Sequence, residues 1–384
     1  MSRFWKRLFF GAVVAAMFAG CSEQPGVTFA LTGLDAEDSI KVLCNNLLDD
    51  KQQAVSDTFA IPSGSLFIPN ESDAPMIYNI YKLPRRFPDG SMEAMSMHGI
   101  YLPVLPGAAI KVEGEFKDYS ITGNTPFYKE LAALEAQIKP LRKEAFVAAI
   151  ASYNKECTAE QRDSLGAIVK DCESSVSAIV NKYIDENRDS DVALYAFYHY
   201  ADINKDYESL QKISENVRKG TFASFYDKLV KQYEKIQKQK EAEKRVAEGM
   251  SAPDFTLKSI DGKEVTLSSL RGKYIVLDFW GSWCGWCIKG IPEMKKMYAK
   301  YNKQLEVVGI ACGDTEDVWK KCVANNELPW TNLLNGEGEN NIPDVYAVKG
   351  YPTKVIIDKE GRIIKTVIGE SPEFYTFIDS LMKK

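Results

Sequence analysis

Three observations predict a multidomain α+β chain. Short apolar runs broken by Gly, Pro, Asp and Asn recur from about Val27 to Thr122; beyond Gly123 the apolar spacing turns helical; and from Tyr274 a strand-like run feeds a helix that opens on two cysteines. The expected segments are 1–20, a signal peptide; 21–124, a β-rich domain; 125–248, a helical domain ending in a charged linker helix; and 249–384, an α/β domain. At 384 residues there is length for two or three domains and ample core. The 48 basic and 53 acidic side chains give a net charge of −5 with no large basic block, which argues against nucleic acid as a partner.

In the first segment Arg3, Lys6 and Arg7 precede an apolar run, Leu8 to Phe18, that is shorter than the roughly 20 residues of a spanning helix. Phe18, Ala19, Gly20 and Cys21 resemble a bacterial lipobox. That resemblance implies cleavage before Cys21 and acylation of its thiol, which would hang the chain from a membrane leaflet on the exported side, where disulfides persist. Phe18 stands where the pattern has an aliphatic residue, so cleavage that leaves a free thiol is the alternative. With Ser22 next, rather than an acidic residue, the expected location is the periplasmic side of the membrane.

From Val27 to Thr122 the spacing suggests a small β-sandwich or barrel, closed by the stretch Asp118 to Asn124. Within it the thioethers from Met92 to Met97 and the His98 imidazole are of a type that suits Cu(I). Met95 and Met97, however, alternate as on one face of a strand pointing into a core, with His98 on the other, and no metal is assigned.

Helical spacing follows at Phe127, Leu131, Leu134, Ile138 and Leu141, with Pro140 expected to kink or split the helix. Thr158 and Gln161 form a capping-box start for a second helix, carrying Leu165, Ile168, Cys172, Val176, Ile179 and Tyr183. Helices are expected around Val192–Tyr200 and Tyr207–Val217. A long one opened by Thr221 runs into the charged residues Lys238 to Arg245, which read as a solvated linker.

In the last segment the residues from Tyr274 to Trp280 are apolar or aromatic apart from Asp278, the pattern of a strand covered on both faces. Gly281 and Ser282 break the run, and Ile291, Met294, Met297 and Tyr298 then recur at helical spacing. Cys284 therefore lies at a helix mouth and Cys287 about one turn in, within disulfide reach. Free amides and the positive end of the helix dipole favour a thiolate on Cys284, expected to be the more exposed thiol and the nucleophile, with Cys287 resolving the mixed disulfide from beneath. A charge in a buried strand needs a function or a partner, which makes Asp278 a candidate.

The other cysteines are placed one by one. Cys157 and Cys172 are separated by some 15 residues of helix, more than about 20 Å, and do not pair. Cys312 and Cys322 could form a second bridge, but buried thiols are the default there and at Cys44.

The strand Val276 to Trp280, the run Trp283, Cys284, Gly285 and Cys287, Pro292, and Gly350 to Thr353 together resemble the thioredoxin superfamily. Ala252 to Phe255, Asp261 to Lys263 and Leu267 to Lys273 resemble the N-terminal hairpin of its membrane-anchored TlpA/ResA-like branch. The resemblance covers 249–384 and identifies that segment as thioredoxin-like. It implies that Asp278 is the buried carboxylate that takes the proton of Cys287. It also implies that Pro352 is a cis-proline facing the thiols, shielding them from metals and letting the Tyr351 backbone pair with an extended substrate strand. Trp283, Gly285, Trp286 and Tyr351 would form the contact surface for that strand. The stretch from Cys312 to Glu339 corresponds to the insertion of the branch, and the β-rich segment is similar to an uncharacterised domain found ahead of such domains in secreted lipoproteins. There are departures. The strand Leu305 to Cys312 has no lysine to pair with Asp278, and Gly290 replaces a glutamate of some ResA-like proteins, so Asp278 is expected to carry the proton chemistry alone. Trp286 replaces a proline common between the thiols.

Other chemistries fit less well. The peroxiredoxin pattern Pro-x-x-x-Thr-x-x-Cys is absent around Cys284, the spacing of His98, His199, Cys312 and Cys322 suits no metal, and haem attachment would need a histidine at Ile288. The expected activity is thiol–disulfide exchange with no cofactor beyond the Cys284–Cys287 disulfide. Expected partners are protein thiols and disulfides of the cell envelope, an upstream membrane or soluble electron donor, and the membrane itself through the lipid on Cys21. The alternative is an envelope binding or docking lipoprotein whose N-terminal domains recognise a ligand or client and in which redox cycling is secondary.

Overall fold

The structure is a computed structural model. It describes residues 24–383 other than 36, 47–54, 62–64, 88, 90, 93–98, 117 and 337–340. Cys21 with the signal segment, and Met95, Met97 and His98, lie outside the described residues. The chain divides between Tyr233 and Glu234 into two units.

The first unit starts with β1 (Gly26–Thr32), β2 (Ser39–Asn46), β3 (Val55–Ala60), β4 (Ser65–Pro69), β5 (Met76–Lys82), β6 (Gly99–Val104), β7 (Ala109–Glu115) and β8 (Asp118–Gly123). Among the described residues these make two four-stranded sheets, ordered β4-β1-β7-β8 and β3-β2-β5-β6, rather than one closed barrel. Leu66 and Ile68 in β4, and Met76, Tyr78 and Ile80 in β5, are buried at every second position, the period of strands covered on one face.

Six helices follow: α1 (Pro126–Ser152), α2 (Ala159–Glu186), α3 (Asp191–Tyr200), α4 (Ile203–Lys212), α5 (Glu215–Arg218) and α6 (Ala223–Arg245). Pro140 does not split α1, which runs on through it. Pro140 and Ala136, whose carbonyl loses its amide partner, are both exposed, so water can take up that bond. The capping box of Thr158 and Gln161 is formed at the start of α2. The buried stripe of α2 is Cys172, Val176, Val180 and Ile184, while Ile168, expected inside, is exposed. The single helix expected over Tyr207–Val217 is broken because Ile213 and Ser214 adopt extended dihedrals and the Ser214 amide donates to the Arg188 carbonyl. Tyr128 on α1 is fully buried. Its hydroxyl donates to the Pro103 carbonyl at 3.0 Å and accepts from the Leu105 amide at 3.1 Å, fixing α1 to the end of β6.

The second unit takes in the end of α6, and here the expected solvated linker is corrected. Ala242 is buried, Gln239 donates to the Ala347 carbonyl at 3.0 Å, Glu243 pairs with Lys349 at 2.9 Å, and Val246 packs against the core. The charged sequence hides one apolar stripe, read through the i, i+4 spacing of Ala242 and Val246. After the hairpin β9 (Thr256–Lys258) and β10 (Glu264–Thr266) come β11 (Tyr274–Trp280), α7 (Gly285–Tyr301), β12 (Leu305–Ala311), α8 (Glu316–Asn325) and β13 (Thr331–Leu334), then α9 (Ile342–Val345), β14 (Thr353–Ile357), β15 (Ile363–Ile368) and α10 (Pro372–Met382). The five-stranded sheet is ordered β13-β12-β11-β14-β15, with β11 parallel to β12 and antiparallel to β14.

Strand β11 is thus central, and its alternation sorts side chains between two cores. Ile275, Leu277 and Phe279 join a cluster with Phe255, Val308, Ile310 and Tyr346, whereas Val276 and Trp280 join one with Cys284, Cys287, Met294, Phe374 and Ile378. Asp278 shares parity with Val276 and Trp280 and so lies on the face that carries the cysteines. Among the described residues no helix is long and apolar enough to cross a membrane.

Candidate active site

The tight turn after β11 brings Cys284 to the N-cap of α7, where its sulfur accepts the Cys287 amide at 3.2 Å. Cys284 and Cys287 form a disulfide with their Cα atoms 5.2 Å apart. The two residues are equally covered, each 7% exposed, so the expectation that Cys284 is the more open thiol is not met in the disulfide form. Residues beside the sulfurs account for this, since the flanking indoles take the solvent-facing positions: Trp283 is 58% and Trp286 66% exposed. What distinguishes the two sulfurs is the helix. Cys284 faces the unpaired amides of the first turn and the positive end of the dipole, which stabilise a thiolate, while Cys287 is inside the turn.

The loop before the disulfide is clamped to the end of β12. The Ser282 amide donates to Asp314 Oδ2 at 2.9 Å and its hydroxyl to Asp314 Oδ1, while Trp283 Nε1 donates to the Cys312 carbonyl at 2.9 Å. Asp314 was not a sequence candidate. Trp283 meets Tyr351 edge-to-face with centroids 5.3 Å apart, and the Tyr351–Pro352 peptide is cis. Lys289 Nζ stands 4.7 Å over the Trp286 ring, and a Cβ on Gly285 would meet nothing within 4 Å, so the helix mouth is open to an approaching chain. Ile368, 58% exposed, is in register with Thr353. Cys44, Cys157, Cys172, Cys312 and Cys322 are free thiols, so among the described residues no second bridge forms. Cys312 is pushed up to about 12, chiefly by burial, which leaves it an inert thiol rather than a third reactive sulfur.

Asp278 is not alone, and this corrects the expectation drawn from the missing lysine of β12. Lys354 on β14, in register beside Asp278, places Nζ 3.7 Å from Asp278 Oδ1 and 2.8 Å from Glu370 Oε2. Tyr375 donates to Glu370 Oε1 at 2.5 Å. Lys354 is 2% exposed, and its place in the run Thr353 to Ile357, every residue of which is buried, is the signal that could have found it. Glu370 had no such signal, since it lies in the connection after β15. It occupies the space left by Gly290, where a Cβ would lie 2.5 Å from Glu370 Cδ. Burial raises the Asp278 carboxyl above its ordinary range; Lys354 opposes the shift and Glu370 adds to it.

This arrangement can do dithiol chemistry: a thiol–thiolate pair at a helix mouth, a largely shielded acid on the same face of the sheet, and an exposed aromatic rim. Residues 249–366 match the family model described as AhpC/TSA family. The chain is similar to a thiol-disulfide oxidoreductase ResA of Bacillus cereus, with 34% identity over 123 residues, covering 32% of this chain and 70% of that protein. The ResA of Bacillus subtilis (strain 168) is 32% identical over 129 residues, 33% of this chain and 71% of that one. Among solved structures, the thioredoxin domain of a thiol-disulfide oxidoreductase from Bacteroides vulgatus is 28% identical over 35% of this chain and 97% of that one, with a TM-score of 0.32. With its disulfide at the mouth of a helix fed by the central strand of a thioredoxin-like domain, the chain belongs to the TlpA/ResA-like thiol–disulfide oxidoreductases of the thioredoxin family.

Proposed function

We propose that the protein exchanges disulfides with envelope proteins from the periplasmic side of a bacterial membrane, to which the lipid on Cys21 anchors it. The observation that carries the chemical part is the position of Cys284 at the N-cap of α7, with its sulfur on the Cys287 amide. In the reducing direction the Cys284 thiolate attacks one sulfur of a client disulfide, forming a mixed disulfide and releasing a client thiolate. Cys287 gives up its proton, with Asp278 as acceptor, and attacks the Cys284 sulfur. The intramolecular disulfide forms and the second client thiolate leaves. The client gains two electrons, the protein loses two, and an upstream dithiol donor restores it. Run backwards, the same steps oxidise a client. The exposed indoles of Trp283 and Trp286 and the Tyr351–Pro352 loop form the surface on which an extended client segment would lie.

Turnover of insulin disulfides by the full chain with a dithiol donor tests the chemistry. Cys284→Ser is expected to abolish it, and persistence of turnover in that variant would overturn the assignment. Cell fractionation tests the anchor. Cys21→Ser is expected to leave the membrane fraction, or to remain there uncleaved at higher apparent mass; an unchanged mature protein in the membrane fraction would argue against acylation. An impermeant protease added to intact cells should leave the chain uncut, and cutting would place it on the exterior instead.

A further inference from the structure

We propose that Glu370 is a positioning residue for the exchange reaction: by holding the Lys354 ammonium on its own carboxylate, it leaves Asp278 as the carboxyl that takes and returns the proton of Cys287. The proposal rests on the reading of Cys287 as the resolving thiol given above, and it adds a residue that the sequence pattern of the site does not mark.

The geometry divides one lysine unequally between two carboxyls. Nζ of Lys354 is 2.8 Å from Glu370 Oε2 and 3.7 Å from Asp278 Oδ1, the first a hydrogen-bonded ion pair and the second beyond hydrogen-bond range. The other oxygen of Glu370 takes the Tyr375 hydroxyl at 2.5 Å. Both oxygens of Glu370 thus have donors, while Asp278 Oδ1 is buried without a hydrogen bond among the described residues. All three charged side chains are largely shielded from solvent. Two carboxylates against one ammonium would leave an uncompensated negative charge in a poorly solvated place, and taking up one proton is the less costly arrangement. That proton goes to the carboxyl with fewer donors.

The place of Glu370 is built by α7. Gly290 lies three residues past Cys287, and a Cβ there would run into Glu370 Oε2 and lie 2.5 Å from its Cδ, so any side chain at that position displaces the carboxylate. The Tyr375 hydroxyl also reaches the Gly290 carbonyl at 3.4 Å. The helix turn that carries the resolving cysteine and the charge network therefore share one packed contact. Lys354 from β14 and Glu370 from the connection after β15 act on Asp278, and Cys312 from the end of β12 and Tyr375 from α10 lie within reach of its charge, while Cys287 of α7 is on the same face of the sheet. Burial pushes the thiol of Cys312 and the phenol of Tyr375 upward, so neither competes for the proton near neutral pH.

The test follows the pH dependence of resolution in the full chain, measured as release of glutathione from a preformed mixed disulfide at Cys284. In the wild type the rate rises through a limb that Asp278→Asn removes. Glu370→Gln takes away a neighbouring negative charge and frees Lys354 for Asp278, so the limb is expected to move down by about one pH unit. Lys354→Met takes away the positive charge and should move it up. Gly290→Ala, which displaces Glu370, should follow Glu370→Gln. An infrared titration of the carboxyl that Asp278→Asn removes gives the same displacements without turnover, and serves if Lys354→Met does not fold. Limbs that stay in place in Glu370→Gln while release proceeds, or that move the same way in Glu370→Gln and Lys354→Met, would show Glu370 to be a packing residue only. Failure of the underlying reading looks different, because then the wild type releases no glutathione through Cys287 at any pH.

Discussion

A carboxyl in the central strand of a covered sheet needs a partner or a proton, and for Asp278 the nearest cation, Lys354 one strand away, is shared with Glu370 and sits closer to it. The consequence for stability has a definite sign. Asp278 is held above the ordinary carboxylate range, first by burial and further by Glu370, against Lys354. Such a group binds its proton more tightly folded than unfolded, so its contribution is fully present below the unfolded value of about 3.9 and is lost as pH rises through the folded value. Asp278→Asn removes that loss. Calorimetry should show the variant gaining in Tm on the wild type as pH rises from about 4 to 8. A difference that stays constant over that interval would contradict the raised value. Asp278 itself was legible as an anomaly in an apolar run. Its partner was missed because the lysine was sought on β12, whereas a lysine inside the wholly buried β14 was the stronger sign.

Elements were legible where the local signals agreed with the tertiary setting. The strand that feeds α7 and the capping box of α2 follow from residue type and spacing alone, and the hairpin β9–β10 is where the resemblance to the TlpA/ResA-like branch places it. Signals that depend on neighbours did not read through. Pro140 looks like a break until both it and the carbonyl it orphans are seen to face solvent, and the linker stretch looks solvated until Ala242 and Val246 are seen to share one buried stripe. The contact between α1 and the end of β6 was invisible for the same reason, since nothing in the sequence links Tyr128 to Pro103. Its bond to the Pro103 carbonyl is buried and that from the Leu105 amide partly so, and Tyr128→Phe would remove both, at a cost of about 1–3 kcal/mol. Gly123→Ala should be destabilising by a similar amount, about 1–3 kcal/mol, because its Cβ would run into the Tyr128 ring, only 2.8 Å from Cγ. Urea denaturation of the two variants checks both, and wild-type midpoints would refute the contact.

At the scale of the whole molecule, the thioredoxin-like unit is expected to be incomplete if cut where its sequence pattern begins. Ala242 and Val246 contribute apolar burial, and Gln239 and Glu243 bond to Ala347 and Lys349, from the end of α6 and the residue just after it. A chain beginning at Glu234 should be more stable than one beginning at Gly249 by about 1–3 kcal/mol, measured by thermal melting; equal melting temperatures would return that helix end to the role of a linker. The division of labour between the two sulfurs is the claim on which the rest stands. It rests on Cys284 at the N-cap and Cys287 inside the turn, since their exposures are equal. The direct measurement is mass-spectrometric mapping of the mixed disulfide left when the reduced full-length Cys287→Ser and Cys284→Ser variants meet a disulfide substrate. The account predicts a stable adduct on Cys284 in the first variant and little or none on Cys287 in the second, whereas a prominent adduct on Cys287 would reverse the assignment of nucleophile and resolving thiol.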